Sequence, residues 1–189
     1  MKIRITCGVI LFAMTFSIQG ASRGISGQSA PAWDVKEWFN LESGATSLDI
    51  SDFEGKVVYL YCFQSWCPGC HSSGFPALRS VSDAFKNDDE VAFVAVQTVF
   101  EGYHANTLNR AREIAKEYEL TMPVGHSGSR SERPGLMSTY RTGGTPWTII
   151  IDRDGIVRFN DFHLKPQQAI SLINSLKKTT GSKDDKPSD

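Results

Sequence analysis

The stretch Val57-Val58-Tyr59-Leu60-Tyr61-Cys62-Phe63-Gln64-Ser65-Trp66-Cys67-Pro68-Gly69-Cys70 decides the fold of this chain. Its first seven residues form a continuous apolar run, which is typical of a central strand covered on both faces. Two cysteines this close can form a disulfide only where the backbone turns sharply, as it does at the start of a helix. Unpaired N–H groups there also favour the thiolate of the first cysteine. The stretch therefore predicts a buried strand that delivers a reactive Cys67–Cys70 pair to a helix N-terminus.

Outward from this stretch, apolar spacing predicts further elements. A second apolar run over residues 91–99 predicts a neighbouring central strand. Helical spacing predicts a helix over residues 70–87, kinked by Pro76, and a helix over 106–118 capped by Asn106 or Thr107. Residues 147–151 and 156–160 flank a turn and predict a β-hairpin, and Pro166 opens a last helix. The predicted order is β-α-β-α, then a hairpin and a closing helix.

Two shorter segments are predicted from composition. Residues 48–50 have the pattern of a short strand, and residues 121–134 are polar and rich in Gly and Ser, which favours a loop. Cys62 lies inside the first apolar run and is expected to be a small buried hydrophobe.

The first 20 residues have the composition of an export signal. Lys2 and Arg4 are followed by an almost wholly apolar stretch over residues 5–18, and we expect cleavage between Gly20 and Ala21. An uncleaved membrane anchor is the alternative, although the stretch is shorter than the roughly 20 residues a spanning helix needs. We therefore expect the protein to be exported, and to lie in the periplasm if its source is a Gram-negative bacterium.

The remaining chain fits one domain. The full sequence of 189 residues carries a net charge of −1, so nothing points to nucleic acid. We expect a flexible lead-in over residues 21–30, a domain over 31–178 and a disordered tail over 179–189. After cleavage three cysteines remain, and an odd number fits one redox pair and one buried thiol better than a disulfide-stapled scaffold.

Three groups of residues resemble the TlpA/ResA/CcmG branch of the thioredoxin superfamily, which broader groupings place with redoxins and AhpC/TSA proteins. They are residues 53–58, the Trp66-Cys67-Pro68-Gly69-Cys70 motif and Gly144-Thr145-Pro146. The resemblance covers roughly residues 31–178. It implies an α/β thioredoxin fold, a central mixed β-sheet flanked by helices, with an N-terminal extension and a helical insertion at residues 106–118.

The same resemblance implies an exported thiol–disulfide oxidoreductase. Cys67 would be the nucleophile, Cys70 the buried resolving thiol and Pro146 a cis-proline facing the pair. The Thr145 backbone would pair with the substrate chain, and the site would be shaped further by Trp66, Pro68 and Gly69. No cofactor beyond the redox-active disulfide is implied. The expected partners are protein thiols or disulfides and a membrane redox partner, and the expected state is a monomer.

Two departures from the pattern concern the proton acceptor for Cys70. Tyr61 stands where plain thioredoxins have a buried Asp. Residues 71–76 carry one extra residue and no carboxylate where some members of the branch have a Glu. Glu101, just past the second predicted strand, is the candidate replacement. His71 would stabilise the Cys67 thiolate as an imidazolium or, as a surface residue, do little.

Three other functions compete with this one. A peroxiredoxin-like thiol peroxidase is the closest rival, although Gln64 stands where that site would have Thr. Cys67-Pro68-Gly69-Cys70-His71 is also a C-x-x-C-H haem-attachment motif. Two thiolates with a histidine could bind copper or zinc, the candidates being His71, His104, His126 and His163.

Overall fold

A computed structural model describes residues 24–42 and 44–178. The predicted export signal and the predicted tail lie outside these described residues. The described part contains strands β1 (Glu37–Phe39), β2 (Val57–Phe63), β3 (Val91–Thr98), β4 (Val124–Ser127), β5 (Trp147–Ile151) and β6 (Val157–Asp161). It also contains helices α1 (Phe75–Ala84), α2 (Leu108–Glu117), α3 (Gly135–Thr139) and α4 (Pro166–Lys178). Among these residues, none of the helices combines the length and apolar character that crossing a membrane requires.

The strands form one mixed sheet in the order β1-β4-β3-β2-β5-β6. Strands β4, β3 and β2 are parallel, whereas β5 pairs antiparallel to β2 and β6, and β1 pairs antiparallel to β4. The predicted mixed sheet flanked by helices is confirmed, and so are the apolar runs as central strands and the β5–β6 hairpin.

Strand β2 is buried along its whole length, and its residues alternate between two cores. Tyr59, Tyr61 and Phe63 face the core that α1, α2 and α4 cover, and Cys70 belongs to this core too. Cys62 faces the opposite core, with Trp33 and α3. Cys62 is fully buried, as predicted, and the sheet separates it from Cys70.

The pairing of β2 with β5 positions the site. Cys62 lies opposite Trp147, so the end of β2 and the start of β5 meet at one edge of the sheet. Cys67 follows β2 after a short turn, and Pro146 immediately precedes β5. The two halves of the predicted site, nearly 80 residues apart in sequence, therefore approach each other at this edge.

Four segments differ from the prediction. Residues 50–53 form a 3-10 turn where the strand over 48–50 was expected, because Asp49 and Asp52 make a reciprocal capping box. The predicted loop over 121–134 contains β4, which pairs with β3 and β1 on either side. Strand β1 and helix α3 were not predicted at all.

The described part of the predicted flexible lead-in, residues 24–30, packs along the hairpin. Gly27 N donates to Val157 O at 2.7 Å and Ala30 N to Gly155 O at 2.8 Å, while Ile25 is buried. These main-chain hydrogen bonds extend the ordered domain toward the N-terminus.

The helix predicted over residues 70–87 is divided. Residues 70–74 form a π-helical turn, and α1 begins only at Phe75, with Pro76 in its first turn. The irregularity therefore lies just before Pro76, in the turn that carries the extra residue. The helix predicted over 106–118 is α2, and Thr107 caps it, with its hydroxyl accepting from Arg110 N at 3.2 Å.

Candidate active site

The Cys67-Pro68-Gly69-Cys70 segment turns tightly at the edge of the sheet. Cys70 N donates to Cys67 O at 3.0 Å and also approaches Cys67 Sγ at 3.4 Å. Pro68 lies exposed at the first helical position, where its missing N–H costs nothing. Both cysteines are free thiols. The Cys70 amide N–H is thus directed at the Cys67 sulfur, in the tight turn that the sequence predicted.

The loop before β5 closes over this turn. The Thr145–Pro146 peptide bond is cis, as predicted. Cys67 Sγ donates to Thr145 O at 3.5 Å. A Cβ atom on Gly69 would lie 3.2 Å from Pro146 Cδ and 4.0 Å from Cys67 Sγ, so a glycine is what lets the two segments pack this closely. The structure thus brings Cys67, Gly69, Thr145 and Pro146 together.

The two thiols lie in different environments. Cys67 is partly exposed, whereas Cys70 is fully buried in the core beside β2. Burial raises the pKa of the Cys70 thiol to about 12. Cys67 is therefore the sulfur that another molecule can reach first.

His71 is held by hydrogen bonds through both ring nitrogens. Nε2 donates to Ser65 O at 2.7 Å, because a carbonyl can only accept, and Nδ1 lies 2.7 Å from the hydroxyl of Tyr118. Neither nitrogen is left to ligate a haem iron or another metal. The imidazole instead ties the loop before Cys67 to the end of α2.

Glu101, the candidate proton acceptor for Cys70, contacts the site through its main chain. Its side chain is exposed, and its contacts with the site come from its main-chain oxygen. That oxygen accepts from Gln64 Nε2 at 3.3 Å and from Asn106 Nδ2 at 3.0 Å. The geometry therefore gives the Glu101 main chain a role in holding the loop, and the role of its carboxylate as proton acceptor stays a prediction.

A buried polar network behind the loop was missed by sequence reasoning. Gln97, fully buried in β3, accepts through Oε1 from the Ser65 N–H at 3.2 Å and from the Ser65 hydroxyl. Its Nε2 donates to His126 Nδ1 at 2.8 Å and to the main-chain oxygens of Asn106 and Thr107. The one signal in the sequence is a glutamine inside an otherwise apolar strand. The network fixes the loop that carries Cys67.

Two aromatic side chains flank the site on the surface. Among the described residues, Trp66 at 48% and Phe162 at 36% are the large hydrophobic residues that are exposed. A Cβ atom on Gly143 or Gly144 would lie 3.4 Å from the Phe162 ring, so this ring borders the loop before Pro146. Trp147, which follows Pro146 directly, is fully buried, and the Phe162 ring packs edge-on against it with the ring centroids 4.6 Å apart.

Metal binding finds no support in the described part of the chain. Residues 24–42 and 44–178 contain no group of three or more His, Cys, Asp or Glu side chains placed to hold a metal ion. His126 accepts from Gln97 through one nitrogen, and His104 and His163 lie exposed on the surface.

Similar proteins are thiol–disulfide oxidoreductases and thioredoxin-fold structures. The ResA thiol-disulfide oxidoreductase of Oceanobacillus iheyensis is 27% identical over 129 residues, which span 68% of this chain and 60% of that protein. The ResA thiol-disulfide oxidoreductase of Bacillus cereus is 24% identical over 155 residues, which span 81% of this chain and 79% of that protein. This chain thus matches less than two thirds of the first of these relatives.

Solved structures agree with the fold. A thioredoxin-like superfamily protein is 32% identical, with a TM-score of 0.73 over 80% of this chain and 97% of that chain. A thiol-disulfide isomerase from Corynebacterium glutamicum is 30% identical, with a TM-score of 0.71 over 80% of this chain and 98% of that chain. The predicted thioredoxin fold and the predicted resemblance are confirmed. Residues 26–160 match the model of the AhpC/TSA family, and the chain therefore belongs to that family.

Proposed function

We propose that this protein is a thiol–disulfide oxidoreductase that exchanges a Cys67–Cys70 dithiol or disulfide with partner proteins. The observation that carries the proposal is the asymmetry of the pair. Cys67 is partly exposed, with an amide N–H 3.4 Å from its sulfur, and Cys70 is buried one turn behind it. A disulfide that closes so small a loop adds little stability, so exchange chemistry accounts for the pair better than a structural bridge.

In the reducing direction, the Cys67 thiolate attacks one sulfur of a partner disulfide. A bond forms between Cys67 and that sulfur, and the second partner sulfur leaves as a thiolate. Cys70 then attacks Cys67, its proton passes to the sulfur that departs, and the partner leaves as a dithiol. Two electrons have moved to the partner, and Cys67 and Cys70 are joined. The oxidising direction is the same path reversed.

Protein substrates are supported by the surface around Cys67. Trp66 and Phe162 border the cysteine turn and the loop before Pro146, and Gly143 and Gly144 leave little bulk between Phe162 and that loop. We propose that an extended substrate segment lies between the two aromatic rings and pairs with the main chain of Thr145. In this proposal Cys67 and Cys70 are the catalytic thiols. The surface that binds the substrate beside them is formed by Trp66, Pro68, Gly69, Thr145 and Pro146.

Export is a separate part of the proposal. The basic start, the apolar stretch over residues 5–18 and Gly20-Ala21 support it. An exported dithiol needs a membrane redox partner to supply or remove electrons. Fractionation of cells that express the full chain, with N-terminal sequencing, tests this: we expect a mature chain that begins at Ala21. A cytoplasmic chain that keeps Met1 would contradict it.

The exchange proposal is tested by trapping. We expect Cys70→Ser to accumulate mixed disulfides on Cys67, because the resolving thiol is gone, and Cys67→Ser to accumulate none. Non-reducing gels of alkylated extracts measure both. Cys62→Ser is the matched control, since Cys62 lies behind the sheet and its loss leaves the exchange intact. Equal trapping by the Cys67 and Cys70 variants would overturn the assignment of roles.

A further inference from the structure

The turn that carries Cys70 contains one residue more than an α-helical turn. Phe75 N–H donates to Cys70 O, five residues earlier, and Cys70–Gly74 forms a π-helical turn. Such turns are rare and occur frequently at functional sites. The extra residue found in the sequence between Cys70 and Phe75 is accommodated here. The turn brings Gly74 against strand β2.

Gly74 leaves room for the hydroxyl of Tyr61. A Cβ atom at Gly74 would lie 2.0 Å from Tyr61 Oη and 3.0 Å from Pro146 Cβ. The Tyr61 ring is fixed from two sides, stacked on Phe63 at 6.1 Å and edge-on to Phe75 at 5.4 Å. The hydroxyl therefore reaches the space enclosed by the π turn and the cis-proline loop.

The Tyr61 hydroxyl is buried and has no hydrogen-bond partner among the described residues. Buried polar groups in folded proteins are almost always satisfied, so an exception calls for a reason. Tyr61 shares its core with Cys70, and the two groups interact electrostatically. A thiol is a weak acceptor, whereas a thiolate accepts strongly, so the interaction between the Tyr61 hydroxyl and Cys70 becomes a strong hydrogen bond when Cys70 ionises.

The titratable groups around Tyr61 and Cys70 keep the Tyr61 hydroxyl protonated, so that it can donate a hydrogen bond. Burial, and next the charge on Cys70, raise the pKa of Tyr61 well above its usual range, so the phenol stays protonated. The other titratable groups that interact with Cys70 are the thiols of Cys67 and Cys62 and the hydroxyl of Tyr118. None of them carries positive charge, so the groups that lower the pKa of Cys70 are hydrogen-bond donors: the Gln64 main chain and the Tyr61 hydroxyl.

We propose that Tyr61 is a positioning residue of the resolving step: its hydroxyl donates a hydrogen bond to the Cys70 thiolate that attacks the mixed disulfide on Cys67. This rests on the exchange function proposed above and assigns a residue to its second step. As that step proceeds, the Cys67–partner S–S bond breaks, the Cys67–Cys70 bond forms and the proton from Cys70 ends on the departing thiol. A neutral phenol thus stands at the position where plain thioredoxins have a carboxylate.

The test separates the two steps with glutathione disulfide as the probe. Reduced protein is mixed with the probe, quenched with acid at intervals and weighed by mass spectrometry. We expect Tyr61→Phe to form the Cys67–glutathione adduct at the wild-type rate within about twofold. We expect the adduct to decay about tenfold more slowly, because a hydrogen bond to a charged sulfur is lost.

Two further variants keep the outcome decisive. Tyr59→Phe removes a buried hydroxyl from the same face of β2, two residues away, and should leave adduct decay within about twofold of wild type. Gly74→Ala pushes a methyl group into Tyr61 Oη and should slow adduct decay as Tyr61→Phe does. Decay at the wild-type rate in Tyr61→Phe would overturn the role of Tyr61. No adduct on Cys67 in any protein would instead overturn the exchange function itself.

Discussion

At the scale of single residues, the chemistry of the pair depends on where the chain places two otherwise identical thiols. Cys67 lies at the start of the turn, partly exposed, with the Cys70 amide directed at its sulfur. Cys70 lies inside the core, where burial raises its pKa to about 12. The first thiol is therefore available as a nucleophile and the second reacts only inside the molecule.

The buried network around Gln97 predicts a dependence of stability on pH. Burial lowers the pKa of His126 from its usual 6.5. When the pKa of an imidazole is lower in the folded than in the unfolded state, its contribution to stability is complete at pH values above the pKa of the unfolded state. This stability decreases as the pH falls below about 6.5 toward the folded pKa. Protonation would also remove the acceptor that Gln97 Nε2 uses at 2.8 Å.

We expect the urea midpoint of the wild-type protein to fall more between about pH 7.5 and pH 5 than that of His126→Gln, which cannot titrate. His163→Gln removes an exposed imidazole and serves as the control, and its midpoint should fall as the wild type does. An equal fall in the wild type and in His126→Gln would contradict the role assigned to His126.

The sequence alone was enough to predict the redox pair Cys67–Cys70, because two cysteines at C-x-x-C spacing after an apolar strand are typical of thiol–disulfide exchange. The same is true of Pro146, next to two glycines. Gln97 and Phe162 could not be found in this way, because their roles come from neighbours that are distant in sequence. The roles considered for His71 and Glu101 stay predictions, since sequence position does not tell where a ring or a carboxylate points.

At the scale of elements, helix α2 begins at a side-chain cap. The hydroxyl of Thr107 accepts from Arg110 N at 3.2 Å and satisfies one of the free N–H groups of the first turn. We expect Thr107→Ala to lower the free energy of unfolding by about 1 kcal/mol, measured by urea denaturation. The reduction potential should not change, because the cap does not contact either thiol.

Thr107→Ser is the matched control for that variant. Serine keeps the hydroxyl acceptor and is at least as good a cap, so stability should stay within a few tenths of a kcal/mol of wild type. A loss of stability in Thr107→Ser as large as in Thr107→Ala would show that the methyl group, and not the cap, accounts for the effect.

Sequence patterns predicted the elements whose apolar residues are many and regular, such as β2, β3 and the last helix. Strand β4 was missed because its four residues, Val-Gly-His-Ser, have no strand pattern and are held by pairing on both sides. The extra residue after Cys70 was visible in the sequence. That it would form a π turn was not, because the turn depends on the fit of Gly74 against Tyr61.

At the scale of the whole molecule, the sheet brings the cysteine turn, the cis-proline loop and Phe162 to one edge. If substrate chains lie between Trp66 and Phe162, Phe162→Ala should reduce kcat/KM for a protein disulfide severalfold, because apolar contact with the substrate is lost. Its rate with glutathione disulfide, which has far less apolar surface than a protein segment, should stay within about twofold of wild type.

Phe53→Ala would not test this surface, because Phe53 packs in the core. Phe162→Leu is the better comparison, since it keeps much of the apolar area and should retain more activity toward the protein disulfide than Phe162→Ala. Parallel losses with the protein disulfide and with glutathione disulfide would place the effect in the thiol chemistry and contradict a docking role.

Whether Cys67 and Cys70 act as an exchange pair is best decided by measuring the reduction potential of the pair. The chain from Ala21 onward would be equilibrated in glutathione or dithiothreitol buffers, its thiols alkylated and its peptides mapped. We expect one two-electron couple that joins Cys67 to Cys70, with Cys62 remaining a thiol. Its potential should lie between about −270 and −120 mV, the range of exchange-active pairs. A potential below about −300 mV, as structural disulfides have, or no Cys67–Cys70 disulfide at all, would contradict it.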